Sequence, residues 1–259
     1  MNNFNALRER EAIIRYLRDW FNEKGENSKA IIGISGGKDS TICAALLARA
    51  IGPERILGII MPDKIMPDIQ DAIDVCEILN IEYKVMCIYE ATQAYNKLAR
   101  ENFTLTERTN AAISTNMPAR ARMTTLYLAS QAQSVPAFVI NTCNRSEDYV
   151  GYSTKYGDSA GDVSVLQDLL VSEVLAIGDT LEELPARLVH KTPSDGMCGK
   201  SDEDNLGYTY NQLDTYIRFV EDKAIVDVNF DDTLTQKIRA RHLANLHKLK
   251  RIPSYRQPN

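Results

Sequence analysis

Three histidines in 259 residues leave little material for an imidazole-based metal centre, and two of them, His242 and His247, stand five apart. A helix turns that spacing to different faces, so a zinc enzyme is not expected. Cysteine is also sparse: Cys43, Cys76, Cys87, Cys143 and Cys198 are an odd number, widely spaced, with no C-x-x-C pair and no secretory signal ahead of them. That excludes a disulfide scaffold and a redox pair, and leaves reduced thiols of a cytoplasmic protein as the expectation. No apolar run approaches the roughly 20 residues needed to cross a bilayer. A basic excess is missing too, since 30 Lys and Arg face 35 Asp and Glu for a net charge of -5. Neither a membrane nor a nucleic acid is therefore an expected partner, and small molecules are.

What is present is an alternation of two periods. A composition that is 44% hydrophobic supports one good-sized core, so residues 1–259 are read as a single domain. Leu7, Ile13, Leu17, Trp20 and Phe21 recur at helical spacing until "KGENSK" breaks the pattern. The strand "AIIGI" follows, and "DSTICAALLARAIG" reads as a helix stopped by Gly52. "RILGIIMP" and "EYKVMCI" read as further strands, separated by a helix that Asp68 is placed to cap. A helix over 118–133, the strand "AFVINT", a helix over 168–184 and the basic C-terminal helix "TLTQKIRARHLANLHKLKR" complete the series. Between the last two lies a long polar stretch over 190–207, a length found in functional lids or in disordered segments. Alternating strands and helices predict an α/β fold: a doubly wound, Rossmann-like parallel sheet with helices on both faces.

Residues 30–41, "AIIGISGGKDST", hold the chemistry. Gly33, Gly36 and Gly37 let backbone amides approach an anion, and the helix beginning near Lys38 directs its positive end at the same point. A Walker loop would need glycine where Ile32 stands and Ser or Thr where Asp39 stands. A carboxylate beside a triphosphate repels it unless a divalent cation lies between them, which makes Asp39 a candidate magnesium ligand. The competing reading is a tight turn in which Asp39 only caps the helix.

Ser35–Ser40 match the SGGxDS loop of the N-type ATP pyrophosphatases, an adenine-nucleotide alpha-hydrolase-like family. "NMPARARMTTLYLASQ" (116–131), "NTCNRSEDYVGYSTKYGDSAGD" (141–162), "HKTPSDG" (190–196) and "SDEDNLGYTYNQLD" (201–214) further resemble, in order and spacing, the ammonia-dependent NAD synthetases. The resemblance runs from the N-terminal helix to "HKLKRIP" (247–253). It implies that ATP adenylates the nicotinic carboxylate of deamido-NAD, releasing pyrophosphate, and that ammonia displaces AMP to give NAD. The catalytic set is then Asp39, Glu147 and Lys38, with Asp39 and Glu147 holding Mg2+. ATP would meet Gly33, Ile34, Ser35, Gly36, Gly37, Lys38, Asp39, Ser40, Thr142 and Ser194, with Lys191 beside the last. Deamido-NAD would meet Arg120, Lys155, Asp162, His247 and Lys248. Arg120 and Arg122 are two apart on a helix and diverge, so one is expected at the ligand. A homodimer is implied, for which the helix "MTTLYLASQA" is a contact candidate.

Two departures from the family pattern stand out. A glycine pair after "KYGD" is replaced by Ser159 and Ala160 ahead of Gly161, a less permissive turn. Val171 occupies the place of an ATP-contacting lysine, a loss for which Lys38 is positioned to compensate. No glutaminase domain is read in the sequence, so free ammonia is the expected nitrogen source. The rival readings are another adenylating ATP pyrophosphatase, including one acting on tRNA, and a catalytically silent nucleotide-binding protein of the same fold.

Overall fold

The strand segments are rich in isoleucine and valine, which suit a pleated surface buried on both sides. β1 (Lys29–Gly33), β2 (Ile56–Ile60), β3 (Glu82–Val85), β4 (Ala137–Asn141) and β5 (Val163–Ser164) form one parallel sheet in the order β3-β2-β1-β4-β5. The computed structural model describes residues 4–65, 67, 69–191, 201–223, 231–250 and 252–254. Around the sheet run α1 (Ala6–Lys24), α2 (Lys38–Ile51), α3 (Ile69–Ile78), α4 (Tyr89–Asn102), α5 (Glu107–Gln131), α6 (Arg145–Val150) and α7 (Val171–Gly178). After these come α8 (Ala186–Val189), α9 (Asp202–Leu206), α10 (Tyr210–Val220) and α11 (Asp232–Leu249). The doubly wound α/β architecture expected from the sequence is the one observed. Among the described residues no helix is long and apolar enough to cross a membrane.

Adjacent residues of β1 serve opposite layers. Ile32 joins Leu17, Phe21, Ile42, Leu46, Val174 and Ile177 beneath α1, α2 and α7. Ile31 joins Leu57, Ile59, Ala121 and Ala129 beneath α5. A third cluster lies outside the sheet, where Tyr149, Leu206, Tyr208, Tyr210, Leu213, Tyr216 and Ile238 pack α6, α9, α10 and α11 together.

The sheet order places the site. From β1 the chain moves outward through β2 and β3, and the later strands β4 and β5 add to its other side. Neighbouring β1 and β4 therefore send their following segments in opposite directions, and open α/β sheets bind ligands in the crevice this leaves at the strands' carboxyl ends. The loop after β1 and the N-terminus of α6 after β4 both open there.

Several elements differ from expectation. The helix expected over 118–133 starts at Glu107, where Thr106 and Thr109 exchange capping hydrogen bonds of 2.8 and 3.3 Å. Pro118 lies inside it, at the cost of the donor that would meet the Ser114 carbonyl. α4 and α10 occur where no helix was read, and the helix expected over 168–184 is confined to α7. Gly52 ends α2 as anticipated, at φ 85°, with its N–H on the Ala48 carbonyl. Asp68, Ser194 and Cys198 lie outside the described residues.

Candidate active site

The turn between β1 and α2 is pinned by its own serines. Ser35 Oγ and Ser40 Oγ lie 3.1 Å apart, Gly37 N–H donates to Ser35 Oγ at 3.2 Å, and Ser40 Oγ donates to the Gly37 carbonyl at 3.1 Å. Gly36 takes φ 75°, a conformation that disfavours any side chain. Gly37 is the N-cap and supplies no side-chain cap, so the first-turn amides of α2 keep the anion-attracting character of a bare helix terminus. Gly33, Ile34, Ser35, Gly36, Gly37 and Ser40 thus form one continuous cradle at the carboxyl end of β1.

Lys38 and Asp39 open α2. Lys38 is almost wholly buried, with its side chain 3% exposed, and its ammonium reaches Asp39 Oδ2 at 2.6 Å and Glu147 Oε1 at 3.9 Å. It also lies over the Tyr210 ring, 5.5 Å from the centroid. Burial alone would lower the Lys38 pKa, but the carboxylates of Asp39, Glu147 and Asp202 reverse this and hold the ammonium charged.

Glu147 arrives by an N-cap. Asn144 accepts from the Glu147 N–H at 3.0 Å, starting α6 so that Glu147 stands in its first turn. The same buried asparagine donates Nδ2 to Asp39 Oδ1 at 3.2 Å, locking the two carboxylate-bearing helices across the crevice. Burial, followed by the Asp39 charge, raises the Glu147 pKa from 4.5 to about 8 against the opposing effect of Lys38. Tyr210 OH donates to Asp202 Oδ2 at 3.2 Å, and burial among Glu147, Asp202 and Asp39 pushes that phenol far up.

Behind α6 runs a second network. Ser146 Oγ donates to Asp214 Oδ1 at 2.5 Å and accepts the Val171 N–H at 3.0 Å, while Ser172 N–H donates to Asp214 Oδ2 at 2.8 Å. Asp214 and Ser146 are fully enclosed. One buried carboxylate on α10 thereby holds the first turns of α6 and α7 together.

The residues assigned to the second substrate gather in part. Arg120 donates to the Lys155 carbonyl at 3.4 Å, Lys155 Nζ to the His247 carbonyl at 2.7 Å, and Lys248 Nζ to the Gly151 and Ser153 carbonyls at 2.6 and 2.7 Å. These four surround the loop after α6. Asp162 stands apart from them: its carboxylate accepts from the Val139 N–H at 2.7 Å and from Tyr127 OH at 3.3 Å, tying β4 to α5. Arg122 diverges from Arg120 as its spacing requires and reaches the Met61 carbonyl beyond β2 at 3.3 Å. Thr142 is half-buried just beyond β4, and Lys191 Nζ is on Asp71 of α3 at 2.6 Å.

The structure shows where both departures lie. Neither Ser159 nor Ala160 has positive φ; Tyr156 does, at 59°, so the turn does not need the missing glycine pair. Gly161 is needed, because a Cβ there would come 2.7 Å from the Asn141 backbone nitrogen. Val171 is buried at the start of α7 and packs in the third cluster. Asn144, Ser146, Asp202, Tyr210 and Asp214 escaped the sequence reading, yet three of their segments carry capping signatures, N-x-x-E at 144, S-x-x-D at 201 and T-x-x-Q at 209.

Among the described residues no group of three or more His, Cys, Asp or Glu side chains is arranged to hold a metal. Two facing carboxylates beside a phosphate cradle instead suit magnesium, which takes one or two protein carboxylates and completes its shell with substrate oxygens and water. Cys43 and Cys143 are buried, and burial together with nearby carboxylates raises both thiols well above the ordinary range, so neither is a nucleophile.

Comparison with known proteins agrees with this geometry. The chain is 41% identical over 206 residues to the NH3-dependent NAD+ synthetase of Thermococcus sibiricus, covering 78% of each sequence. Its structure superposes on the NMN synthetase of Francisella tularensis with a TM-score of 0.84 and 31% identity, covering 98% of this chain and 99% of that one. On the NH3-dependent NAD synthetase of Campylobacter jejuni the values are 0.78 and 27%, with the same coverage. The NAD synthase family model matches residues 9–252, and the chain, a ligase with an ATP-pyrophosphatase loop at its switch point, belongs to the NAD synthase family.

Proposed function

We propose that the protein amidates the nicotinic carboxylate of deamido-NAD with free ammonia, using ATP and yielding NAD, AMP and pyrophosphate. The observation that carries this is the pairing of Asp39 and Glu147 across the crevice, joined by Asn144, at the mouth of the SGGKDS cradle. The cradle and the bare N-terminus of α2 suit the departing pyrophosphate. Asp39 and Glu147 would hold magnesium, which supplies neutralisation of phosphate charge when bound. The nicotinic carboxylate oxygen attacks the innermost phosphorus and pyrophosphate leaves. Ammonia then attacks the acyl carbon of the adenylate, AMP departs, and the nitrogen sheds a proton. Arg120, Lys155, His247 and Lys248 form the wall where the dinucleotide fits, although Lys155 and Lys248 spend their ammoniums on backbone carbonyls and must release them to meet phosphate.

Ammonia as nitrogen source is supported by the relatives' names and by the two inert buried thiols. The free cysteines Cys43, Cys76, Cys87 and Cys143 support a cytoplasmic location. A homodimer is supported by α5, of whose 25 residues only Pro118, Ala121 and Ala129 are buried. A second substrate reading rests on the similarity to an NMN synthetase, whose counterpart here would be the deamido mononucleotide. Steady-state assays with ammonium or glutamine, and with deamido-NAD or the mononucleotide, test all of this. The proposal expects turnover on ammonium and higher kcat/KM for the dinucleotide, with AMP as product. ADP formation would overturn the mechanism, and preference for the mononucleotide would establish the second reading.

A further inference from the structure

The position of Lys38 is unexpected for a phosphate ligand. Its ammonium is not turned into the cradle; it sits 2.6 Å from Asp39 and 3.9 Å from Glu147, almost sealed from solvent, with Tyr210 beneath it. Asp202 lies behind Tyr210, bonded to the phenol. Two carboxylates thus pair with one lysine in a largely buried pocket, and Asp202 adds to the field around it. A divalent cation bound to both Asp39 and Glu147 would come close to that ammonium, and like charges at such separations in a buried site repel.

We propose that Lys38 is a built-in counter-ion that keeps the Asp39–Glu147 pair closed to a free divalent cation until nucleotide phosphate draws the ammonium off. The chain allows the exchange: Lys38 follows Gly36 and Gly37 at the first position of α2, so its flexible stem can swing from the carboxylates to the adjoining cradle. The triphosphate then receives the lysine as the pair receives the metal, so metal and nucleotide bind with positive coupling. A lysine in the loop therefore does more than replace the one missing at Val171. This inference rests on the metal assignment to Asp39 and Glu147.

The test is a manganese titration followed by calorimetry, with no turnover involved. In the nucleotide-free protein, Lys38→Met is expected to bind manganese about tenfold or more tightly than the parent. With a non-hydrolysable ATP analogue, the parent is expected to tighten and the variant to gain little. Melting with and without manganese guards against a folding artefact: the variant melts lower than the parent without metal and recovers more with it, and Lys38→Arg, which keeps the charge, behaves as the parent. Equal or weaker nucleotide-free manganese binding by a folded Lys38→Met would overturn the counter-ion role alone. Failure of the parent to bind manganese even with the analogue would overturn the metal assignment and the inference together.

Discussion

Asp39 and Glu147 are separated by more than a hundred residues, yet they face each other because one follows β1 and the other follows β4, and those strands are neighbours. Burial makes Glu147 costly to ionise where it stands. Its pKa in the folded protein is raised to about 8, first by burial and then by Asp39, so its contribution to stability is fully present below the ordinary carboxylate range and is lost as pH rises through about 8. Glu147→Gln is accordingly expected to melt higher than the parent near pH 9 and close to it near pH 5 in the nucleotide-free state, measured by calorimetry at both pH values. The same variant should lose about a hundredfold or more in kcat, because the carboxylate proposed to hold magnesium is gone. A variant as active as the parent would remove Glu147 from the mechanism. Asp39 was legible from an electrostatic contradiction inside a glycine turn, and Glu147 was named only through the family resemblance. Tyr210 and Asp202 were not legible, since nothing local links position 38 to positions 202 and 210; only the folded chain brings them together.

α10 does for the site what a strut does for a frame. Tyr210 and Asp214 stand four apart and therefore share a face; the first lies under Lys38 and the second holds Ser146 and the start of α7. Asp214→Ala strands the Ser146 hydroxyl and the Ser172 N–H in an enclosed space, which should cost about 2–3 kcal/mol of stability. Denaturant unfolding would measure it, and a loss under half a kilocalorie would contradict the bracing role assigned to α10. Four of the five strands were legible, because short apolar runs such as "AIIGI" and "AFVINT" bounded by turns suit a buried parallel sheet; β5, two residues long, was not read. Helices α4 and α10 were missed although both space their apolar residues helically. In α4, Ala91, Tyr95 and Leu98 repeat that way, yet only Thr92 is buried and Tyr95 and Leu98 stay exposed. In α10, Leu213, Tyr216 and Ile217 form a buried face behind the Thr209–Gln212 capping box, and that spacing was passed over. The start of α5 was placed at 118, whereas the Thr106 cap opens it at Glu107.

At the scale of the molecule, the doubly wound sheet provides the crevice and the cluster of α6, α9, α10 and α11 stiffens its far wall. The opposite side is unfinished. Leu128 on α5 is 57% exposed and Phe103, at the end of α4, is 69% exposed, and apolar side chains of this size are costly to leave in water. Sedimentation at micromolar concentration should give a dimer for the parent and a shift toward monomer for Leu128→Glu; a monomeric parent would refute the assembly. The central claim is that the carboxylate pair and the glycine cradle direct attack to the innermost phosphorus of ATP. Deamido-NAD carrying heavy oxygen in both positions of its nicotinic carboxylate tests this most directly, by mass spectrometry of the products. Adenylation predicts one labelled oxygen in AMP, one retained in the amide of NAD, and unlabelled pyrophosphate. Unlabelled AMP, or label in phosphate or pyrophosphate, would contradict it.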